Sequence, residues 1–378
     1  VADKGVLKLW AISEHVEDAG VHSGDATLIL PPKNINETTR NLLLKNTQKI
    51  AKKLEIDGPF NTQYIAKNNE IKVIECNLRV SRSFPFVSKV KDVNFIRLAT
   101  RIMIGADYQV ENQPEKYTGV KVPQFSFNRL ANADNRLGVE MLSTGEVACF
   151  GENYQEAYLK ALSATGFKAK KECNVLISLG SIKDKDELYN SVKLLCDNGF
   201  TLFGTKGTAE FYKNLDINII TLENEKIYQD IKDGKFGLVI NTSAQNKINP
   251  TNKTRGYFIR RLSIDYGVDI LINIKCTKLY IESIVSYYNN FKIVGDCDLH
   301  ISDSNCISDE LDSNYSDEHN SLSDIDDIDN INKINNIVKQ NLFNVIDVSQ
   351  FNRDNLRTLF KNACILKHNV KKLGKLDL

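Results

Sequence analysis

Short apolar segments alternate with amphipathic segments from residue 170 to about residue 292, and this alternation restricts the fold more than any other feature of the sequence. A helix over residues 185–197 would place Leu188, Val192 and Leu195 on one face. The candidate strands around it are 174–178, 201–203, 217–221 and 237–241. Strands that alternate with helices form βαβ units, so the pattern predicts an α/β domain whose parallel sheet is buried on both faces.

Several polar residues follow the predicted strands, where a sheet of this kind binds its ligands. Residues 204–208 (GTKGT) join a strand to a helix, and the amides and hydroxyls at a helix N-terminus can hold an anion. Ser178, Lys185 and residues 241–243 lie at or near other strand ends. Together these groups could line one phosphate pocket. A plain βα loop is the alternative for so short a turn.

Residues 61–77 (NTQYIAKNNEIKVIECN) have the pattern of a β-hairpin, because two β-rich stretches flank a run of turn formers. Glu75 and Asn77 are two residues apart in the second strand, so their side chains leave the same face. Gln63 lies near the end of the facing strand, where it could join them. One carboxylate with two amide oxygens suits a hard cation such as Mg²⁺, whose coordination is usually completed by nucleotide phosphates.

Arg79 and Arg82 come directly after this predicted metal site. Two fixed cations beside a magnesium carboxylate make sense if both face phosphate oxygens, where they would neutralise charge during phosphoryl transfer. A strand end with solvated side chains and ordinary salt bridges is the alternative, and composition does not decide between the two.

Three long motifs resemble those of a known family. Residues 73–89 (VIECNLRVSRSFPFVSK) resemble the ATP-grasp signature of carbamoyl-phosphate synthetases, with Leu78 where that family usually has Pro. Residues 14–25 (EHVEDAGVHSGD) and 136–147 (RLGVEMLSTGEV) resemble two further stretches of the same family. The chain therefore resembles the C-terminal part of a carbamoyl-phosphate synthetase large subunit, of the eukaryotic pyrimidine-pathway type.

The resemblance implies a role for each polar residue of this region. Arg79 and Arg82 would contact the phosphoryl group and the carbamate, as catalytic residues. The implied nucleotide-binding residues are His22, Ser23, Gln63 and Glu75, and the implied metal ligands are Gln63, Glu75 and Asn77. The implied cofactor is ATP with Mg²⁺ or Mn²⁺, and the implied reaction is phosphorylation of carbamate to carbamoyl phosphate. Without the resemblance, His22 would be read as a structural loop histidine.

Residues 170 to about 290 resemble the methylglyoxal-synthase-like domain that ends these synthetases and binds allosteric nucleotides. Residues 274–280 (IKCTKLY) resemble the pyrimidine-pathway type, whose effectors are uridine nucleotides and phosphoribosyl pyrophosphate. The implied effector contacts are Lys185, Thr205, Thr208, Asn241 and Thr242, with Lys275 and Lys278 as further candidates. A true lyase of this type would need carboxylates around the phosphate pocket, where the sequence offers hydroxyls and lysines.

The chain is predicted to contain five regions. They are the C-terminal part of an ATP-grasp domain (1–120), a connector that ends in a helix over 154–164 (121–168), the methylglyoxal-synthase-like domain (169–292), an acidic low-complexity linker (293–341) and a helical tail (342–378). The linker carries about a dozen carboxylates and no Lys or Arg between residues 296 and 329, so disorder is expected there. Residues 343–361 resemble the first helix of aspartate transcarbamoylase, and a generic capping helix is the alternative.

The sequence shows no upstream lobe to cover the adenine and no P-loop to replace it, so the chain alone is expected to be inactive. The implied partners are the remainder of the synthetase, a glutamine amidotransferase domain and further copies in an oligomer. The alternative is an effector-binding and assembly module with no catalytic role.

Composition excludes other classes of partner. A formal charge of +1 gives no global attraction to nucleic acid or to an anionic membrane. No apolar run approaches the roughly 20 residues that span a bilayer. The eight cysteines are scattered, which is typical of a reducing compartment, so a cytoplasmic protein is expected.

Overall fold

The computed structural model of the chain describes residues 1–112, 114–168, 173–242 and 254–290. The predicted acidic linker and helical tail lie outside the described residues, as does residue 243. Residues 97–109 belong to a separate compact unit and are described only by themselves.

The N-terminal part combines short strands with three helices. The first long helix begins at Asn36, whose side chain accepts a hydrogen bond from the Thr39 amide (2.8 Å) and so caps one of the free amides of the first turn. The elements are β1 (Ala2–Asp3), β2 (Val6–Leu7), β3 (Glu14–His15), β4 (Leu28–Leu30), α1 (Glu37–Lys53), β5 (Asn61–Lys67), β6 (Glu70–Asn77), α2 (Ser83–Lys91) and α3 (Phe95–Met103).

An antiparallel sheet of four strands, in the order β3-β4-β7-β8, joins the N-terminal part to the predicted connector. The connector contributes β7 (Thr118–Gln124), a 3₁₀ turn (Phe127–Arg129), β8 (Gly145–Gly151) and α4 (Tyr154–Ala164). The boundary predicted at residue 120 falls inside β7, so this sheet draws strands from both sides of it. The helix predicted over 154–164 is confirmed with these bounds.

The parallel sheet predicted for the C-terminal region is confirmed, with strand order β11-β10-β9-β12-β13. Its elements are β9 (Asn174–Leu179), α5 (Ile182–Asp197), β10 (Thr201–Thr205), α6 (Lys206–Lys213), β11 (Ile220–Leu222), α7 (Asn224–Lys232), β12 (Leu238–Thr242), α8 (Arg255–Asp265), β13 (Ile270–Leu271) and α9 (Ile274–Asn290). Leu188, Val192 and Leu195 are fully buried, as their spacing predicts. The strand predicted over 217–221 is wrong at its start, because β11 begins only at Ile220. Ile217 and Ile219 are buried but come before the strand.

One apolar core runs from the antiparallel sheet to the parallel sheet. It contains Val120 and Val122 of β7, Tyr158 of α4, and Val175 and Ile177 of β9, all of them 2% exposed or less. Helix α4 packs against β7 and β8 on one side and against α9 on the other, and shares this core with α9. The two sheets therefore share one apolar core and form a single packed unit.

Replacement of Leu188 by Ala should lower the free energy of unfolding by about 2–5 kcal/mol, because a fully buried side chain would leave a cavity. Ile182→Ala is the matched control in the same helix, because Ile182 is 69% exposed and its loss should cost no more than about 0.5 kcal/mol. Urea unfolding followed by circular dichroism measures both. Equal effects would show that the inward face of α5 is assigned wrongly.

Candidate functional site

The hairpin of β5 and β6 brings the three predicted metal ligands to one place. Asn68 and Asn69 both have positive φ angles (52° and 62°), which is the backbone of a two-residue type I′ turn. This turn sets the register, in which Gln63 lies directly across from Glu75. The pairing shifts by one residue just after Gln63, so the strands are bulged next to the site.

Four side chains form a hydrogen-bonded group that we call the Glu75 cluster: Ser23, Gln63, Glu75 and Asn77. Asn77 Nδ2 donates to Glu75 Oε1 (2.7 Å), and Gln63 Nε2 donates to Glu75 Oε2 (3.3 Å) and to Ser23 Oγ (2.8 Å). Glu75 is exposed, and Gln63 and Asn77 are half-buried. The cluster is therefore open to solvent at Glu75.

The donor set of the Glu75 cluster fits Mg²⁺ or Mn²⁺ bound together with phosphates. It offers one carboxylate, two amide groups and a hydroxyl, all of them oxygen donors that hard cations accept. Both amides donate to the carboxylate, so their oxygens would have to turn towards a metal. Across the described ranges, no group of three or more His, Cys, Asp or Glu has the arrangement of a metal site, so any metal here depends on the amide oxygens and the phosphates.

The loop of residues 20–25 holds His22 and Ser23 beside the hairpin. The His22 amide donates to Gly138 O (2.8 Å), and His22 Nδ1 accepts from the Gly24 amide (3.0 Å). A side chain at Gly24 would come within 2.8 Å of Met141 Sδ, so a larger residue here would push the Met141 side chain aside.

Asp25, the last residue of this loop, is fully buried and accepts from the backbone amides of Leu142 (2.8 Å) and Ser143 (2.9 Å). The loop is thus tied to residues 138–143 at His22 and at Asp25, on both sides of Ser23.

Arg79 and Arg82 lie next to the cluster in sequence, but no contact of theirs joins it. Arg79 is exposed and donates from Nη1 to Val80 O (3.3 Å), and Arg82 is the exposed residue just before α2. Exposed guanidinium groups at this edge can reach an anion without breaking a buried ion pair. Their catalytic roles, like the metal-binding and nucleotide-binding roles above, stay predictions.

The predicted effector residues meet at the carboxyl ends of β9, β10 and β12. Thr205 Oγ1 donates to Thr208 Oγ1 (3.1 Å), which accepts from the Leu179 amide (3.2 Å). Lys185 Nζ donates to Gly207 O (2.6 Å) and lies 5.6 Å from the centre of the Phe211 ring. Lys185 is half-buried, whereas Thr208 is fully buried, so Lys185 is the better placed of the two to touch a ligand.

A carboxylate that the sequence analysis missed lies among these predicted effector residues. Thr242 Oγ1 donates to Asp184 Oδ2 (2.8 Å), and the Asp184 amide is capped by Ser181 Oγ (3.0 Å). The spacing Ser181-x-x-Asp184 at a helix start was the available signal. The expectation of hydroxyls and lysines alone at this pocket is therefore wrong. Two further candidates are engaged elsewhere, since Lys275 pairs with Asp18 (2.5 Å) and Lys278 with Glu187 (3.1 Å).

A cavity of about 400 Å³ lies between the antiparallel sheet and the C-terminal domain. On its wall, Cys276 Sγ donates to Glu17 Oε1 (3.0 Å), and Glu17 also accepts from the Thr27 amide (2.8 Å). Burial raises the pKa of Glu17 above its usual range, although its hydrogen bonds oppose the shift. The buried carboxyl of Glu17, in the segment between β3 and β4, thus accepts a hydrogen bond from the Cys276 thiol of α9. This contact holds that segment against α9.

His15, two residues from Glu17, is also shifted. Burial, together with the charge of Lys121, lowers the pKa of His15 to about 4. Burial also lowers the pKa of Lys121, whose Nζ lies 3.5 Å from Glu146 Oε2 and which is 1% exposed. At neutral pH the antiparallel sheet therefore contains a neutral imidazole at His15.

Two family models match the chain. Residues 9–111 match "Carbamoyl-phosphate synthase L chain, ATP binding domain", and residues 187–272 match "MGS-like domain". The first match contains the whole Glu75 cluster with Arg79 and Arg82, and the second contains most of the parallel sheet. The fold and site thus define a chain with an ATP-grasp-type domain followed by an MGS-like domain.

Curated relatives give the particular relationship. The chain is 50% identical to "Multifunctional protein pyr1-3" of Dictyostelium discoideum (75% of this chain, 13% of that protein) and 46% identical to "Multifunctional protein CAD" of Squalus acanthias (78% and 14%). It is 40% identical to "Carbamoyl-phosphate synthase [ammonia], mitochondrial" of Rattus norvegicus (75% and 20%). The chain is homologous to the large-subunit region of carbamoyl-phosphate synthases, and it spans between 13% and 20% of the length of these relatives.

Similarity to solved structures is slight. N5-carboxyaminoimidazole ribonucleotide synthetase from Thermotoga maritima matches with a TM-score of 0.30 and 17% identity, over 37% of this chain and 44% of that chain. Of the helices in the described part of the chain, none is both long and apolar enough to cross a bilayer.

Folding stability should fall as the pH drops from about 6.5 towards 4, partly because of His15. In this window the unfolded chain protonates His15 and the folded chain does not, so the unfolded state binds more protons. His15→Gln should remove this component, on the order of 2 kcal/mol, and flatten the pH dependence measured by urea unfolding. Glu17 acts with the opposite sign in both proteins because its folded pKa is raised, so the difference between them isolates His15. An unchanged slope would contradict the assignment.

Proposed function

We propose that this chain forms one wall of the active site of a carbamoyl-phosphate synthase that phosphorylates carbamate with ATP, in pyrimidine biosynthesis. The observation that carries the proposal is the direct pairing of Gln63 with Glu75, beside Asn77 and Ser23. This cluster lies inside the segment that matches the carbamoyl-phosphate synthase ATP-binding domain.

In this reaction the protein does not need to form a covalent bond with either substrate. A carbamate oxygen attacks the γ-phosphorus of ATP, the bond to the β,γ-bridging oxygen breaks, and ADP leaves with that oxygen. Because carbamate is already an anion, no proton has to be removed first. Catalysis then consists of positioning and of stabilising negative charge.

The residues of the chain divide this work. Gln63, Glu75 and Asn77 would hold Mg²⁺ or Mn²⁺, and the ion would neutralise negative charge on the nucleotide phosphates. Arg79 and Arg82 would contact the transferred phosphoryl group and the carbamate. Ser23, which already accepts from Gln63, would set the orientation of that amide beside the nucleotide.

The MGS-like domain would sense the end products or precursors of the same pathway. Uridine nucleotides or phosphoribosyl pyrophosphate would bind at the carboxyl ends of β9, β10 and β12. The placement of Lys185, Thr205 and Asn241 around these ends supports the assignment. Asp184 adds a negative charge there, so a bound phosphate would need lysines or a cation to offset it.

The partners in this proposal are the rest of the synthetase, with the lobe that covers the adenine, and a glutamine amidotransferase domain that supplies ammonia. The proposed setting is the cytoplasm, because the eight cysteines are scattered along the sequence with no C-x-x-C pair.

Glu75→Gln in the complete protein should lower the rate of ATP formation from Mg-ADP and carbamoyl phosphate, the reverse of the proposed step. A loss of about 100-fold or more is expected, because the only carboxylate of the cluster would be gone. Glu70→Gln is the matched control, since Glu70 lies in the same hairpin next to its turn and should leave the rate within about twofold.

Equal rates in the two variants would contradict the metal assignment. A wild-type protein that binds a uridine nucleotide but forms no ATP would favour the alternative of an effector-binding and assembly module.

A further inference from the structure

Arg260 of α8 is a fully buried cation that donates hydrogen bonds from Nε, Nη1 and Nη2. Its side chain is 2% exposed. Nε and Nη2 donate to the two carboxylate oxygens of Asp134 (2.8 and 2.7 Å), which is the bidentate arrangement of a strong ion pair. Nη1 donates to Asn241 Oδ1 (2.9 Å). One side chain thus joins the connector loop to the end of β12.

The contact with Arg260 determines how Asn241 faces the effector pocket. A guanidinium group only donates hydrogen bonds, so the atom of Asn241 that faces it must be the amide oxygen. The amide nitrogen therefore points away from Arg260, and it is the group of Asn241 that would donate to an effector anion in the proposed function, although Asn241 is only 1% exposed. Space at this point is tight, because a side chain at Gly256 would come within 3.2 Å of Arg260 Nη1.

Two neighbours of Arg260 hold the same connector loop. Arg261 Nη1 donates to the carbonyl oxygens of Phe127 (3.2 Å), Leu130 (3.0 Å) and Ala133 (3.1 Å). The Tyr257 hydroxyl donates to Asn132 O (3.0 Å). We call these contacts of Tyr257, Arg260 and Arg261 with residues 127–134 the α8 clasp.

The clasped loop continues to the Glu75 cluster without a gap. Four residues after Asp134, Gly138 accepts from the His22 amide, and the amides of Leu142 and Ser143 bind the Asp25 carboxylate. Ser23 lies between His22 and Asp25, and it accepts from Gln63. Every step from Asn241 to Gln63 is a hydrogen bond or a short stretch of backbone.

We infer that Arg260 is a positioning residue that couples the effector pocket to the Glu75 cluster through Asp134. The inference rests on the proposed function, in that it takes Asn241 as an effector contact. An anion bound at Asn241 would attract the guanidinium and the Asn241 amide together, and any shift of Arg260 must be followed by Asp134 or leave a buried charge unpaired. Residues 134–143 would pass the shift to the loop of His22 and Ser23.

The charge on Asp134 is present throughout the working pH range. Burial alone would raise the pKa of this carboxyl, but the hydrogen bonds and charges of Arg260 and Arg136 hold it below its usual value. The ion pair of Arg260 and Asp134 is therefore present whether or not an effector is bound. Only the binding of the effector anion changes the charge near Arg260.

Coupling of two binding equilibria in the complete protein tests the inference. The dissociation constant of uridine triphosphate is measured by calorimetry without and with saturating Mg-ADP, and the ratio is the coupling factor. The wild type should give about 5- to 150-fold, in either direction. Arg260→Lys, which keeps the charge but loses the bidentate fork, should bring the factor below about 2-fold while uridine triphosphate still binds. Arg255→Lys is the matched control, because Arg255 is exposed on the same helix and should keep the wild-type factor.

A second variant changes the connector end of the same chain of contacts. Asp134→Asn leaves the contact between Arg260 and Asn241 in place, and it should also abolish the coupling factor. If both residues act in one chain, the double variant should lose no more coupling than either single variant. Should Arg260→Lys fail to fold, Asp134→Asn decides by the same criterion.

The outcomes separate the two proposals. A wild type that binds neither uridine triphosphate nor phosphoribosyl pyrophosphate overturns the effector assignment and this inference with it. Binding with no coupling factor in the wild type, or with a wild-type factor in the folded variants, overturns this inference alone and leaves the proposed function standing.

Discussion

The buried guanidinium of Arg260 must keep its two partners, Asp134 in the connector and Asn241 at the end of β12. Removing one partner of a buried ion pair typically costs about 3–5 kcal/mol, because the remaining charge is left without compensation. Asp134 and Asn241 are therefore held at fixed positions relative to α8. Since Asp134 lies in the connector and Asn241 ends β12, this requirement sets the connector loop against the parallel sheet.

The apolar core and the Glu75 cluster differ in how far they are open to solvent. Helix α4 packs against β7 and β8 and against α9 in a continuous core, with Tyr158 only 2% exposed. The β5–β6 hairpin forms a two-stranded sheet of its own and leaves Glu75 exposed. The loop of His22 and Ser23 joins the two regions, because Asp25 is buried while Ser23 reaches Gln63. A buried, hydrogen-bonded loop thus supports a Glu75 cluster that is open to solvent.

Local patterns in the sequence predicted the elements that depend on neighbouring residues. The period of Leu188, Val192 and Leu195 predicted α5, and the Asn-Asn turn predicted the hairpin that brings Gln63 to Glu75. Contacts between distant residues carry no such pattern. Arg260 and Asp134 are 126 residues apart, and Glu17 and Cys276 are 259 residues apart, so neither pair could be found from spacing. The shared sheet of β3, β4, β7 and β8 was missed for the same reason.

Hydrogen exchange at the backbone amides of Leu142 and Ser143 is the most direct measurement of whether the two domains act together. Both amides donate to Asp25, at the junction between the connector and the loop that carries Ser23. Uridine triphosphate added to the complete protein should change their exchange rates by about 5-fold or more, alongside changes at Thr205 and Asn241. A change confined to the MGS-like domain, with Leu142 and Ser143 unaffected, would contradict the account.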